Sequence, residues 1–320
     1  MSEFKIINQY IKQVETDDSV ILGIGDDAAV MQVPEGSQIV QTMDTMVLDI
    51  HFDNSFSADA LAHKLLHVNL SDIAAMGARP KWATVALTMP ELQEPWIADF
   101  SAGLQSRCAL FGINLIGGDT TSGPLSVTMN LTGLVKTGCF LTRSGAQKDD
   151  DIYVSGFLGD AALALSETGC DHEALASRLH YPQARLELGV LLHESASACL
   201  DISDGLLADL QHICVASQVN AEIEVGKLPI SNEYKNYFET QNRPINPDFA
   251  LNGGDDYELC FTVPNDKREK IEALNSQLDH SITRIGRITQ ANEAYSVKCI
   301  LNGNEYQCGH AGWEHFASKK

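Results

Sequence analysis

Apolar positions along the chain recur at two periods, near two and near three and a half, and glycine, proline and aspartate punctuate them. Phe4, Ile7, Tyr10, Ile11 and Val14 fall at helical spacing, so residues 1–16 read as a short amphipathic helix. The run Val20–Ile24 reads as a strand ending at Gly25-Asp26-Asp27-Ala28-Ala29, and residues 38–43 as a second strand that stops at Asp44-Thr45. Leu61, Leu65, Val68, Ile73 and Met76 mark one stripe of a long helix over Ala58–Met76, which Gly77 and then Pro80 terminate. Lys81–Met89 predicts a strand and Trp96–Phe111 a helix. Asn114–Ile116 follows as a short strand closed by Gly117-Gly118-Asp119, and Ser126–Lys136 as a strand with β-rich alternation.

The polar stretch Ser144–Asp151 reads as a boundary, which gives two domains, 1–146 and 147–320. Beyond it come a strand at Ile152–Ser155, a glycine turn at Gly156–Gly159 and helices over Asp160–Glu167, Pro182–Glu194 and Asp204–Ser217. Further strands fall near Glu222–Val225, Glu258–Val263, Ile282–Ile288 and Tyr295–Leu301. Strands and helices mix in both halves without strict alternation, so the fold class is α+β rather than a doubly wound parallel sheet.

Length and composition narrow the class. A chain of 320 residues accommodates two domains, and 44% hydrophobic with 20% charged residues is the balance of a globular protein. The polar start lacks a basic region followed by an apolar core, and no stretch approaches the roughly 18–20 apolar residues of a membrane span. Eight scattered cysteines without a C-x-x-C pair read as reduced, structural thiols of a cytoplasmic protein. A formal net charge of −21 excludes a nucleic-acid partner, which such a surface repels.

Much of that charge solvates the surface, but several aspartates stand beside glycine where elements begin or end. They are Asp26 and Asp27, Asp44, Asp72, Asp119, then Asp201 and Asp204, then Asp255 and Asp256. Each alone reads as a turn or helix cap. Gathered together they would repel, so a converging set implies cations, and an all-oxygen donor set favours Mg²⁺ over zinc or copper. Glycines beside them let phosphate oxygens approach backbone N–H groups, so the set predicts a Mg-polyphosphate site. There is no Walker-type loop, no protein-kinase H-R-D or D-F-G and no dinucleotide fingerprint. Asp201–Leu206 misses the glycine of a calcium loop at its sixth position, and His63 and His67 lack the glutamate of a metalloprotease helix.

Taken in order, GIGDDAAV, TMDTMVLDIHF, NLSDIAAMGARP, GGDTTSG, TRSGAQ, LDISDGL, GGDDYEL and the terminal GWEHF resemble the thiamine-monophosphate kinase family over nearly the whole chain. The first four blocks mark a wider superfamily that includes aminoimidazole ribonucleotide synthetase; the DIHF segment, LDISDGL, GGDDYEL and GWEHF point to the kinase branch. The resemblance implies a two-domain fold whose N-terminal domains pair as a β-barrel in a homodimer. It implies transfer of a phosphoryl group from ATP to thiamine monophosphate, with several Mg²⁺ ions. Left as an open edge, the apolar strand Ser126–Val135 is an aggregation liability, which accords with such pairing. As implied ligands of Mg²⁺ stand Asp27, Thr42, Asp44, Asp72, Asp119, Asp201 and Asp204, with Thr45 or the backbone of Met43. Gly118, Asp119, Arg143 and Ser203 are the implied ATP contacts, and His51, Asp255 and Trp313 the implied substrate contacts. Asp72, Asp119, Arg143 and Asp204 carry the catalytic assignment.

The chemistry suits those residue types. A phosphate nucleophile is already anionic near neutral pH, so no strong general base is needed, and bound cations with Arg143 would offset its repulsion from the triphosphate. Bland alternatives stand beside three of the roles: a surface-loop arginine for Arg143, a strand-end cap for His51 and a core aromatic for Trp313. Where the family carries glutamate this chain has Asp255, one methylene shorter. Within the superfamily, selenophosphate synthetase calls for a cysteine early in the chain, and the first 100 residues have none. A hydrogenase-maturation member should end in a reactive cysteine, and this chain ends in Ala-Ser-Lys-Lys. A different class, a non-catalytic Mg-nucleotide-binding dimer, calls for loss of ligand aspartates, and none is lost.

Overall fold

The computed structural model describes residues 16–168, 172–291 and 294–309, so the predicted N-terminal helix and the block containing Trp313 lie outside the described residues. The chain divides into two compact units, one holding Ala78–Phe140 and the residues up to Ile73, the other Ala74–Gly77 and the residues from Leu141 onward.

In the first unit, β1 (Val20–Leu22) and β2 (Val30–Met31) form a small antiparallel ribbon. A four-stranded sheet is built from β3 (Ser37–Val47), β4 (Arg79–Met89), β5 (Asn114–Ser122) and β6 (Ser126–Lys136), in the order β3-β6-β4-β5. β4 and β5 run parallel, and the helix α2 (Glu94–Leu110) is the crossover that such a pair requires. β6 is therefore an interior strand, paired along its whole length with β3 and over Ser126–Leu134 with β4, so it is not left as an open edge. Among the described residues the edges are β3 and β5. β3 also runs four residues past the predicted stop, because β6 supplies a partner for each residue through Val47. β5 continues through Gly117–Ser122 for the same reason, with β4 as its partner.

α1 (Ala58–Ala75) departs from the predicted single stripe. Leu61, Leu65, Leu66, Leu70 and Ile73 are fully buried, but His63, Lys64, His67, Asn69 and Ser71 are buried too, so the helix is enclosed on all sides. Val127, Met129 and Leu131 of β6 turn into the core, whereas Ile39 and Met43 on β3 remain 54% and 64% exposed. One face of this sheet is thus covered and the other is not.

The second unit carries a seven-stranded mixed sheet of β7 (Asp151–Ser155), β8 (Ala198–Asp201), β9 (Val219–Glu224), β10 (Leu259–Val263), β11 (Ile282–Gln290), β12 (Val297–Leu301) and β13 (Asn304–Glu305). Its order is β13-β12-β9-β11-β7-β10-β8, and only β12 and β9 are parallel. All five residues of β7 and of β10 are buried because alternate side chains enter two separate cores. Ile152, Val154 and Cys260 join one core with Leu206, Leu210 and Ile213 of α6 (Leu206–Ser217). Tyr153, Phe261 and Val263 join the other with Leu188 and Leu192 of α5 (Leu186–Leu192) and Ile271 of α9 (Arg268–Leu274). The remaining helices are α3 (Asp160–Leu163), continued by a π-helical turn, α4 (Glu173–His180), α7 (Asn232–Thr240) and α8 (Asp248–Asn252). β8, α4, α7, α8 and α9 have no counterpart in the sequence reading. No described helix is long and apolar enough to cross a membrane.

Candidate active site

The first unit brings two of the candidate aspartates together. Thr42 and Asp44 alternate with the exposed Met43 and Thr45 along β3, and Thr42 Oγ1 donates a hydrogen bond to Asp72 Oδ2 on α1. Asp44 Oδ2 is buried and accepts no hydrogen bond. Burial, and then the neighbouring charge of Asp72, pushes the Asp44 carboxyl up to about 7. Two neighbouring carboxylates, one with a buried oxygen that accepts no hydrogen bond, are what a hard divalent cation relieves, and an oxygen-only set fits Mg²⁺. Among the described residues, no three His, Cys, Asp or Glu side chains are grouped to hold a metal.

Asp119 stands apart from that pair. Asp44 lies opposite Met129, Met129 opposite Val85 and Val85 opposite Gly118, so Gly118 is three strand spacings, about 14 Å along the sheet, from Asp44. A Cβ on Gly118 would lie 2.1 Å from the Val85 carbonyl oxygen, so only glycine permits this approach of two backbones. Asp119, the next residue on β5, and Asp27, in the loop between β1 and β2, are both exposed.

His51 follows β3 in a tight turn, where its Nδ1 accepts the Val47 N–H at 3.1 Å. That bond assigns the lone pair to Nδ1 and the proton to Nε2. His63 and His67 stack at 4.0 Å, and Arg107 Nε donates to His63 Nδ1 at 3.1 Å while its terminal nitrogens hold both oxygens of Asp59. The histidine pair is part of this packed ion-pair network.

In the second unit two motifs meet through backbone. β8 and β10 pair so that Asp201 lies opposite Leu259, which sets Ile202–Gly205 beside Gly253–Glu258. The Asp255 N–H donates to the Ser203 carbonyl at 3.0 Å and the Tyr257 N–H to the Ile202 carbonyl at 2.8 Å. Asp255 and Tyr257 both have left-handed backbone, with φ of 68° and 50°, a conformation that non-glycine residues seldom adopt and that concentrates at functional loops. Tyr257 Oη donates to Asp255 Oδ1 at 2.9 Å. Asp209, buried on the first turn of α6, accepts the N–H groups of Ser203, Asp204 and Gly205 on one oxygen, at 3.0, 3.0 and 3.1 Å. Burial pushes its carboxyl up to about 6 despite those donors.

The glycine turn after β7 is held from beneath by the buried Glu258 and the half-buried Asp256. Asp256 Oδ1 accepts the Gly159 N–H at 2.8 Å, while its Oδ2 is buried without a partner; burial raises this carboxyl well above the usual range. Glu258 accepts Arg185 Nε at 2.6 Å and Nη2 at 2.5 Å, and Ser155 Oγ at 2.6 Å. A Cβ on Gly156 would lie 1.9 Å from Glu258 Oε1, so the turn and the acid exclude any larger residue there. Arg143 is exposed in a loop tied to β8 by the Cys199 N–H on the Thr142 carbonyl and to α6 by Ser217 Oγ, which accepts from Gly145 and Ala146. Ser203 and Asp204 at one end of β8 and Arg143 near its start are thus fixed by one short strand.

The matching family models are "AIR synthase related protein, N-terminal domain" over residues 25–135 and "AIR synthase related protein, C-terminal domain" over residues 147–298. A thiamine-monophosphate kinase of Haemophilus influenzae is 40% identical over 329 aligned residues, covering 100% of this chain and 99% of that protein. The chain belongs to the thiamine-monophosphate kinase family. The crystal structure of the family's protein from Stenotrophomonas maltophilia K279a superposes with a TM-score of 0.82 at 42% identity, covering 95% of this chain and 96% of that one. A second solved structure, AaThiL complexed with AMPPCP and TMP, gives a TM-score of 0.77 at 33% identity over 92% of each chain. The two-domain fold of mixed helix and strand is therefore that of the family.

Of the residues that the motifs single out, Asp44 with Asp72 and Thr42 form one group, and Asp201, Ser203, Asp204 and Asp255 another. Trp313 lies outside the described residues. Asp256 was among the aspartates that the sequence singles out, whereas Asp209, Glu258 and Arg185 escaped the sequence reading. Asp209 was legible in principle, as a charged residue among Leu206, Leu210 and Ile213 on a buried helix face. Arg185 and Glu258 are 73 positions apart, and nothing local announces their pairing.

Proposed function

We propose that the chain is a thiamine-monophosphate kinase, which transfers the γ-phosphoryl group of ATP to the phosphate of thiamine monophosphate and releases ADP and thiamine diphosphate. The observation that carries this reading is similarity over the full length to thiamine-monophosphate kinases, among them a protein solved with AMPPCP and TMP. The buried Asp44 oxygen that accepts no hydrogen bond, beside the charge of Asp72, supports a role for Mg²⁺.

Mg²⁺ would be held by Asp27, Thr42, Asp44, Asp72, Asp119, Asp201 and Asp204, with the Met43 backbone, and it supplies neutralisation of phosphate charge when bound. Gly118, Asp119, Ser203 and Arg143 contact ATP. Arg143 places a fixed guanidinium on phosphate oxygens, and Gly118 lets the backbone come close because it has no side chain. His51, Asp255 and Trp313 contact thiamine monophosphate; Tyr257 fixes the Asp255 carboxylate for that task. No residue acts as a strong base, because the acceptor phosphate is already ionised near pH 7, its second pKa being about 6. Positioning and charge stabilisation carry the rate, through Asp72, Asp119, Arg143 and Asp204.

On this reading residues 1–146 form the Mg-ATP-binding and dimerisation domain and residues 147–320 the second domain, and the protein works in the cytoplasm. Two copies join as a β-barrel through the four-stranded sheets. Support comes from the uncovered face carrying Ile39 and Met43 and from two unpaired edge strands, both of which a barrel removes.

Purified protein with ATP, Mg²⁺ and thiamine monophosphate should form ADP and thiamine diphosphate in equal amounts, the latter followed by chromatography. Asp72→Asn should lower the rate roughly a hundredfold or more. Nucleotide binding without thiamine diphosphate would sink the acceptor assignment.

A further inference from the structure

We propose that Asp209 is a positioning residue that holds Ser203, Asp204 and Gly205 in the arrangement the metal requires, an inference that rests on the kinase reading above. The amides of a loop that leads into a helix need partners that the helix itself does not supply, and at a nucleotide site such amides commonly face phosphate; α6 begins at Leu206, with Gly205 as its cap. Here three successive amides, of Ser203, Asp204 and Gly205, turn instead onto a single oxygen of Asp209. An ordinary cap satisfies one such amide; this carboxylate satisfies three, so its work is to fix the loop.

The fixation extends outward. With the Ser203 amide committed to Asp209 and the Ile202 amide to the Glu258 carbonyl, Ile202 and Ser203 present carbonyl oxygens that accept the Tyr257 and Asp255 N–H groups, and Tyr257 in turn holds the Asp255 side chain. The metal-binding and acceptor-binding loops are therefore one hydrogen-bonded body with Asp209 at its base. Gly205 is locked from the other side, since a Cβ there would lie 2.7 Å from the Asn252 carbonyl and its φ is 119°. Asp209 itself is only 4% exposed and sits among leucines, where a carboxylate is costly to keep for packing alone. Groups that orient ligands from behind typically change metal affinity ten- to a hundredfold when altered.

The test uses the full chain as wild type, Asp209→Asn, Asp209→Ala, Asp204→Asn and the Asp204→Asn/Asp209→Asn double variant. Mn²⁺ is titrated as the Mg²⁺ substitute in the presence of AMPPCP, free Mn²⁺ is read by electron paramagnetic resonance, and folding is followed by circular dichroism. Asp209→Asn should fold as wild type does and raise the Mn²⁺ half-saturation concentration roughly tenfold or more. The double variant should bind no more weakly than Asp204→Asn alone, because both changes disable the same ligand. A folded Asp209→Asn with wild-type Mn²⁺ binding overturns the proposal, as does a double variant that loses the sum of the single effects. Loss of folding in both Asp209 variants assigns the residue to structure alone and overturns it too. A wild type that binds Mn²⁺ and AMPPCP but makes no thiamine diphosphate overturns the kinase reading, and the Asp209 comparison still stands.

Discussion

Asp256 and Gly118 show how single positions carry constraints that their residue types only hint at. Asp256 Oδ2 is buried, and that burial raises the carboxyl well above the usual range, so the folded state holds the proton more tightly than the unfolded chain does. Stability contributed by this group is present below the unfolded value, near 3.9, and falls as pH rises above it, by up to about 1.4 kcal/mol per pH unit. Asp256→Asn cannot ionise, so its stability relative to wild type should improve as pH rises above the ordinary carboxylate range. Thermal denaturation as a function of pH checks this, and a gap that does not widen with pH would refute it. Gly118→Ala forces a methyl group into the Val85 carbonyl and should cost about 2–4 kcal/mol in denaturant titration while weakening AMPPCP binding.

At the scale of elements, helix α6 and strand β8 decide where the chemistry of the second unit sits. β8 has four residues, too few for periodicity to reveal, and becomes a strand because β10 offers it a buried partner. α6 is anchored by Leu206, Leu210, Ile213 and Cys214, each fully buried. Leu210→Ala should therefore destabilise by about 2–5 kcal/mol, read as a lower denaturant midpoint at unchanged slope. An unchanged midpoint would mean that the helix is not anchored through that face. Asp44 and Asp119 had read as residues at strand ends, yet both stand inside strands. Gly-Asp-Thr is a turn by local propensity, and it is ladder hydrogen bonds to a neighbour that override it.

For the whole molecule, the uncovered sheet face is the feature with the largest consequence. Exposed Ile39 and Met43 beside two unpaired edges are unfavourable for an isolated chain. Replacing both with aspartate should convert a dimer to monomer in sedimentation velocity while leaving the circular dichroism spectrum unchanged. A wild type that sediments as a monomer would remove the barrel from the proposal.

What the sequence by itself determined was mostly local and ordered. The elements α1, α2, β4, β6, β7 and β10 were legible because apolar runs and apolar spacing report burial. The family was legible because its motifs are contiguous, from GIGDDAAV through GGDDYEL. What only the tertiary structure decided was which side chains meet. Asp72 sits 30 positions from its Thr42 partner, and Glu258 sits 103 from Ser155. Pairing of strands distant in the chain brings them together, and contacts of that range leave no periodic trace in sequence. Likewise a buried carboxylate and a surface one are the same letter; the charge of Asp44 became informative only once α1 and β3 enclosed it.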